Sequence, residues 1–165
     1  MTPEQKEVLK VWIAAGLWLA VIAIESTAWL SAENTGRFLY PILHFLFGIS
    51  RAHFRIWHIV IRKGGHFVGY FILSVLLFRA WRLTLPLQVA VRWAMRWAAT
   101  AFFMTMLVAS LDEYHQSFIP TRTAKVTDVL LDSFAALVAQ LVIFRLCNRN
   151  RSRMSAAADS IGSAS

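Results

Sequence analysis

Long apolar runs separated by short polar breaks dominate the chain, and their lengths predict helices of membrane-crossing size. The first runs from Val8 to Leu30, interrupted by Lys10 and Glu25, and meets the roughly 20 residues a helix needs to cross the hydrocarbon layer. Lys6 and Lys10 ahead of it, with Ser26 and Ala28 as small residues, also fit a cleaved signal peptide. The length of the run and the intramembrane Glu25 favour a retained span. Ser31, Glu33, Asn34, Thr35 and Gly36 then form a polar break. Leu39 to Ile49 is apolar but too short to cross, and is read as an interfacial or re-entrant segment. A second span is predicted over about Ile56 to Trp81, a third over Val89 to Leu111 after Pro86, and a fourth over Thr127 to Cys147. The predicted fold class is therefore all-α: a polytopic membrane protein, an antiparallel bundle of four transmembrane helices with the short segment between the first and second. Residues 1–148 form this domain. Residues 149–165, basic and then rich in Ser and Ala, are expected to be a disordered cytoplasmic tail.

Composition supports the membrane class. Of the 165 residues, 58% are hydrophobic and 16% charged, against roughly 45–50% and about 25% in soluble domains. The formal charge of +8 does not point to nucleic acid, because the cations punctuate apolar runs and form no stripe interleaved with readout residues. Lys and Arg at span ends suit anionic lipid instead. Ten of them flank the span ends on the side of the amino terminus and seven flank the others. This bias places both termini inside. The single Cys147 excludes an internal disulfide framework and a multi-cysteine zinc site.

An antiparallel order of four spans brings the end of the first, the start of the second, the end of the third and the start of the fourth to one membrane face. Glu25, Lys63, His66, Tyr70, Asp112, Glu113, Gln116, Arg122, Asp128 and Asp132 all fall there, together with His115. Lys63, His66 and Tyr70 are three and four positions apart and share a helix stripe, as do Asp128 and Asp132. A carboxylate facing lipid costs about 2.5–3.5 kcal/mol, so these faces are expected to turn inward and form a polar pocket open to one side. Plainer roles stand beside this one. Lys63 and above all Arg62 are read as interface anchors, His66 as a partner of a backbone carbonyl, Asp128 as a helix cap, and Asp112 and Glu113 as solvated loop residues. His44, His53 and His58 are read as interfacial.

Lys63, His66, Phe67 and Tyr70, followed by Asp112, Glu113, Gln116, Phe118, Pro120, Arg122 and Asp128, resemble the VanZ-like family of small bacterial membrane proteins. Glu25, Ser26 and Thr27 with Asn34, Thr35, Gly36, Arg37 and Phe38 add to the likeness, which covers about residues 10 to 145. The chain departs from it at Gly69, where many relatives carry an acid, and at Thr121 and Ala135, where relatives often carry Gly. The resemblance implies a bacterial cytoplasmic-membrane location and an envelope role, with an association to low-level teicoplanin resistance, and supplies no reaction.

Two main readings of the pocket follow. In the first it binds an amphiphilic ligand, a lipid head group or a lipoglycopeptide: Lys63 and Arg122 contact phosphate or carboxylate, Asp112 and Glu113 accept from hydroxyl or amine groups, and Trp29, Phe38, Tyr40 and Trp57 hold the apolar part. In the second it is an intramembrane hydrolase or transferase acting on a lipid-linked envelope precursor, with His66 as general acid or base oriented by Asp112 or Glu113, and Arg122 stabilising negative charge. No serine or cysteine elbow and no Gly-rich phosphate loop is present, and no cofactor is called for. A metal held by His66 and the four carboxylates is opposed by Lys63 and Arg122. A transporter is disfavoured because the inner halves of the spans read as apolar.

Overall fold

The computed structural model describes residues 1–27, 31–86, 92–120, 122 and 124–162. Five helices follow one another: α1 (Pro3–Glu25), α2 (Ala32–Phe47), α3 (Arg51–Thr84), α4 (Met95–Gln116) and α5 (Val126–Gly162). There is no strand among the described residues. Local chemistry sets their starts. Thr2 and Gln5 form a reciprocal capping box with Pro3 in the first turn of α1. Ser31 and Ser50 accept from the backbone N–H groups of Asn34 and His53 to open α2 and α3. Gly48, at a left-handed φ of 63°, closes α2, a conformation costly for any residue with a Cβ.

Three helices, α1, α3 and the Val126–Arg149 part of α5, are long and apolar enough to cross a membrane. The expected third span, α4, falls short of that apolarity because Arg96 sits at its start and Asp112 and Glu113 near its end. Its start was expected at Val89, which lies outside the described residues, as do Trp29 and Thr121. Its end differs from expectation: Asp112 to Gln116 are helical, not loop, since nothing in that stretch opposes a helix before Pro120. At the other terminus α5 continues to Gly162, into the stretch read as a disordered tail; Ala and Met are good helix formers that extend an existing helix at little cost.

Side-chain pairs give the directions of packing. Trp12 meets Thr84 and Trp18 meets the carbonyl of Gly69, so α1 and α3 run antiparallel. Tyr70 with Asp112 and Trp81 with Met104 make α4 antiparallel to α3. Lys63 with Asp128 and Ser74 with Gln140 make α5 parallel to α3. The central α3 touches all four other helices. Its inward stripe (Tyr70, Leu73, Ser74, Leu77) is buried along with small residues, Ala98, Ala101, Thr105 and Ala109 on α4 and Ala135, Ala136 and Ala139 on α5. Small side chains let helix backbones approach closely where lipid gives no hydrophobic drive between helices. Ala135, another departure from the resemblance, thus falls on a fully buried packing position.

The spans are not wholly apolar within. Gln140 Nε2 donates to Ser74 Oγ at 2.7 Å and to the Ser74 carbonyl at 3.2 Å, and Ser74 Oγ donates to the carbonyl of Ala136. This buried polar pair corrects the expectation of apolar inner halves. It pins α5 to α3.

At 34 residues, α3 is about 51 Å long at 1.5 Å per residue, against a hydrocarbon layer of about 30 Å. The excess corresponds to about 14 residues at 1.5 Å each, the length of the opening stretch that carries Arg51, Arg55, Arg62 and Lys63.

Candidate functional site

The start of α3, the end of α4, the α4–α5 loop and the start of α5 enclose a cavity of about 250 Å³. Seven of the ten predicted site residues line it: Lys63, His66, Glu113, Gln116, Arg122, Asp128 and Asp132. Ile59, Arg62, Lys125 and Leu131 complete the wall. Arg62, read from sequence as an interface anchor, is part of the site. The signal was available, since Arg62 precedes His66 by four positions and shares its face.

Lys63 Nζ forms an ion pair with Asp128 Oδ1 at the mouth, where both side chains are partly exposed. Deeper in, His66 Nδ1 lies 3.7 Å from Asp132 Oδ2, and the His66 ring stacks over Tyr70. Asp132 therefore replaces Asp112 or Glu113 as the acid beside His66. The other two are engaged elsewhere. Asp112 Oδ2 accepts from Tyr70 Oη and from Gln116 Nε2, each at 3.0 Å. Glu113 Oε1 accepts from the backbone N–H of Lys125 just ahead of α5. Neither is a solvated loop residue. Asp112 and Tyr70 stand behind the wall, and Asp112 faces a separate groove along α1 and α4 in which His115 Nδ1 is 3.3 Å from Ser26 Oγ.

Glu25 contributes its backbone in place of a carboxylate in the wall. Arg122 Nη2 donates to the carbonyls of Glu25 and, at 2.8 Å, Thr27. A guanidinium there caps the otherwise unsatisfied carbonyls at the end of α1 and lies at the negative end of its dipole. Burial lowers the Arg122 pKa from its ordinary value, and the charge of Arg62 pushes the same way. Its Nε and Nη1, and Asp132 Oδ1, are buried with no hydrogen-bond partner among the described residues. The two residues are only 9% and 3% exposed, and both line the cavity.

At Gly69, a departure from the resemblance, there is room for a side chain, because a Cβ added there meets nothing within 4 Å. Of the two suggested substitutes, Asp132 reaches His66 and Glu25 does not line the cavity. Among the described residues no group of three His, Cys, Asp or Glu side chains is placed to hold a metal ion. Of the histidines outside the convergent set, His44 bonds locally with the Ile49 carbonyl and His53 with Ser50, whereas His58 on α3 bonds Thr35 on α2. Phe38 and Trp57 are exposed, and Tyr40 packs on His44 and Phe54.

No curated protein and no solved structure matches the chain. The VanZ/LLP1 family model matches residues 11–148, which takes in α2, α3, α4, every residue of the cavity wall and residues 11–25 of α1. With that coverage, and with three helices fit to cross a bilayer, the chain is a membrane protein belonging to the VanZ/LLP1 family.

Proposed function

We propose that the cavity holds the polar head of an amphiphilic ligand at one face of the bacterial cytoplasmic membrane, and that this binding is the protein's envelope function. The observation that carries the reading is that Arg122 and Asp132, two residues lining one cavity, bury Nε, Nη1 and Oδ1 without a partner among the described residues. Leaving such groups unsatisfied costs about 1–3 kcal/mol each, more when charged. A head group with anionic oxygens for Arg122 and a hydroxyl or ammonium for Asp132 removes that cost. Size narrows the choice. Drug-sized ligands occupy roughly 300–1,000 Å³, so a cavity of about 250 Å³ suits a lipid head group, whereas a lipoglycopeptide such as teicoplanin enters only by an end.

The membrane arrangement belongs to the same proposal. Because α3 and α5 run parallel, the chain between them must return the length of α3, and α4 is the helix described in that stretch. A crossing α4 yields four spans, α2 at the interface, both termini cytoplasmic and the cavity open outward, in line with the Lys and Arg bias.

The test is equilibrium binding of the purified full chain to labelled phosphatidylethanolamine, phosphatidylglycerol, lipid II and teicoplanin. Saturable binding of a lipid, weakened by Asp132→Asn and Lys63→Ala, is expected. Absence of saturable binding to all four ends the reading, and turnover of a lipid that His66→Ala abolishes replaces it with hydrolase or transferase chemistry.

A further inference from the structure

Gln116 is the last residue of α4 and lines the cavity, with only 5% of its surface exposed. Its amide has a donor end and an acceptor end, and Asp112 decides which end is left for a ligand. Gln116 Nε2 donates to Asp112 Oδ2 at 3.0 Å, one turn back on the same helix. An ionised carboxylate only accepts, so the amide cannot turn over without losing that bond. Tyr70 Oη, on the fully buried Tyr70 of α3, donates to the same Oδ2 at 3.0 Å and holds the carboxylate in place. Asp112 itself is not among the residues of the cavity wall. Gln116 Oε1, which accepts from no donor among the described residues, is therefore the polar end that remains in a residue of the wall. Asp132 Oδ1 is a second acceptor without a partner among the described residues.

From this arrangement, and resting on the head-group reading above, we infer that the cavity selects head groups bearing an N–H or O–H donor over fully methylated ones. Gln116 is the specificity-determining residue and Asp112 the residue that positions it. A primary ammonium or a glycerol hydroxyl supplies the donor. A quaternary choline keeps the same charge and the same phosphate, and its nitrogen carries no hydrogen. It satisfies Arg122 and leaves the Gln116 acceptor against methyl groups. Burying an acceptor without its donor costs the full desolvation of that group, more than an average hydrogen bond contributes.

The test is equilibrium binding of the full chain to phosphatidylethanolamine, its N-methyl and N,N-dimethyl forms and phosphatidylcholine, all with identical acyl chains, with phosphatidylglycerol as the hydroxyl case. Wild type is expected to bind phosphatidylethanolamine and phosphatidylglycerol about tenfold more tightly than phosphatidylcholine, the equivalent of one hydrogen bond. The main loss falls at the third methyl group, which removes the last N–H. Gln116→Met keeps the side-chain length and removes the acceptor. Asp112→Asn brings its own N–H donors and lets the Gln116 amide turn over. Each is expected to lose most of the tenfold ratio. Both affinities are read on the same folded fraction, so the ratio separates lost selection from lost stability. Equal affinity of wild type for phosphatidylethanolamine and phosphatidylcholine overturns the selection and leaves head-group binding standing. A wild-type ratio in both variants also overturns it, by assigning the preference to methyl bulk. Relaxation in Gln116→Met alone removes Asp112 from the positioning role. Absence of saturable binding to every lipid ends the head-group reading and the selection with it.

Discussion

Arg122 Nη2 donates to the carbonyl oxygen of Thr27 at 2.8 Å, across 95 positions of the chain. The same nitrogen reaches the carbonyl of Glu25, so the loop between α4 and α5 closes the end of α1. Hydrogen bonds to a charged group contribute about 1.5–3 kcal/mol, and a lysine cannot reproduce the fork. Arg122→Lys is expected to lower stability by about 2 kcal/mol, read from unfolding in detergent, and Arg122→Ala by at least as much. Wild-type stability in both variants contradicts the cap.

The Lys63–Asp128 pair behaves differently. Both side chains are partly exposed, and pairs of that kind contribute about 0–1 kcal/mol. Lys63→Ala therefore leaves the unfolding midpoint nearly unchanged while weakening head-group binding about tenfold, the equivalent of one charge-assisted contact. A stability loss as large as that of Arg122→Lys identifies Lys63 as structural.

Ser74 and Gln140 form a buried polar contact between α3 and α5. A double-mutant cycle of Ser74→Ala and Gln140→Leu is expected to give a coupling of about 0.6 kcal/mol, the usual size for hydrogen bonds between membrane helices. Zero coupling shows that packing of Ala135, Ala136 and Ala139 holds the two helices without it.

The number of crossings has a parity test. Four crossings put both termini on one side, and three put them on opposite sides. Reporters fused in turn to each end are expected to be active in the cytoplasm in both fusions. Activity on opposite sides removes α4 from the set of spans.

The exposed face of α2 predicts a depth profile. Phe45 is 88% exposed on a 16-residue helix, too short for the hydrocarbon layer. A spin label at Phe45 is expected to collide more with lipid-soluble oxygen than one at Arg37. The reverse order turns α2 over.

Helix positions and the convergence of Lys63, His66, Glu113, Arg122 and Asp132 were legible in the sequence because hydrophobic run length sets spans and spans set which ends meet. Partnerships within the site were not. The sequence offers His66 three nearby acids, and the phase of each helix decides which one it gets. Asp112 is turned toward Tyr70, Glu113 toward the start of α5, and Asp132 toward His66. Run length is equally silent about Arg62, whose inclusion depends on the helical phase of α3, and about Gln140, a single polar residue in an apolar run whose partner lies 66 positions away. The same limit explains Glu25, where the useful group is a carbonyl common to every residue type.

The surplus length of α3 bears on how the protein responds to the bilayer itself. In the proposed membrane arrangement Lys63 and His66 stand where the helix passes from oil to water, so a membrane thicker by a few ångströms submerges the mouth of the cavity and a thinner one lifts it clear. Access to the proposed head-group site then follows lipid chain length, without any moving part in the protein.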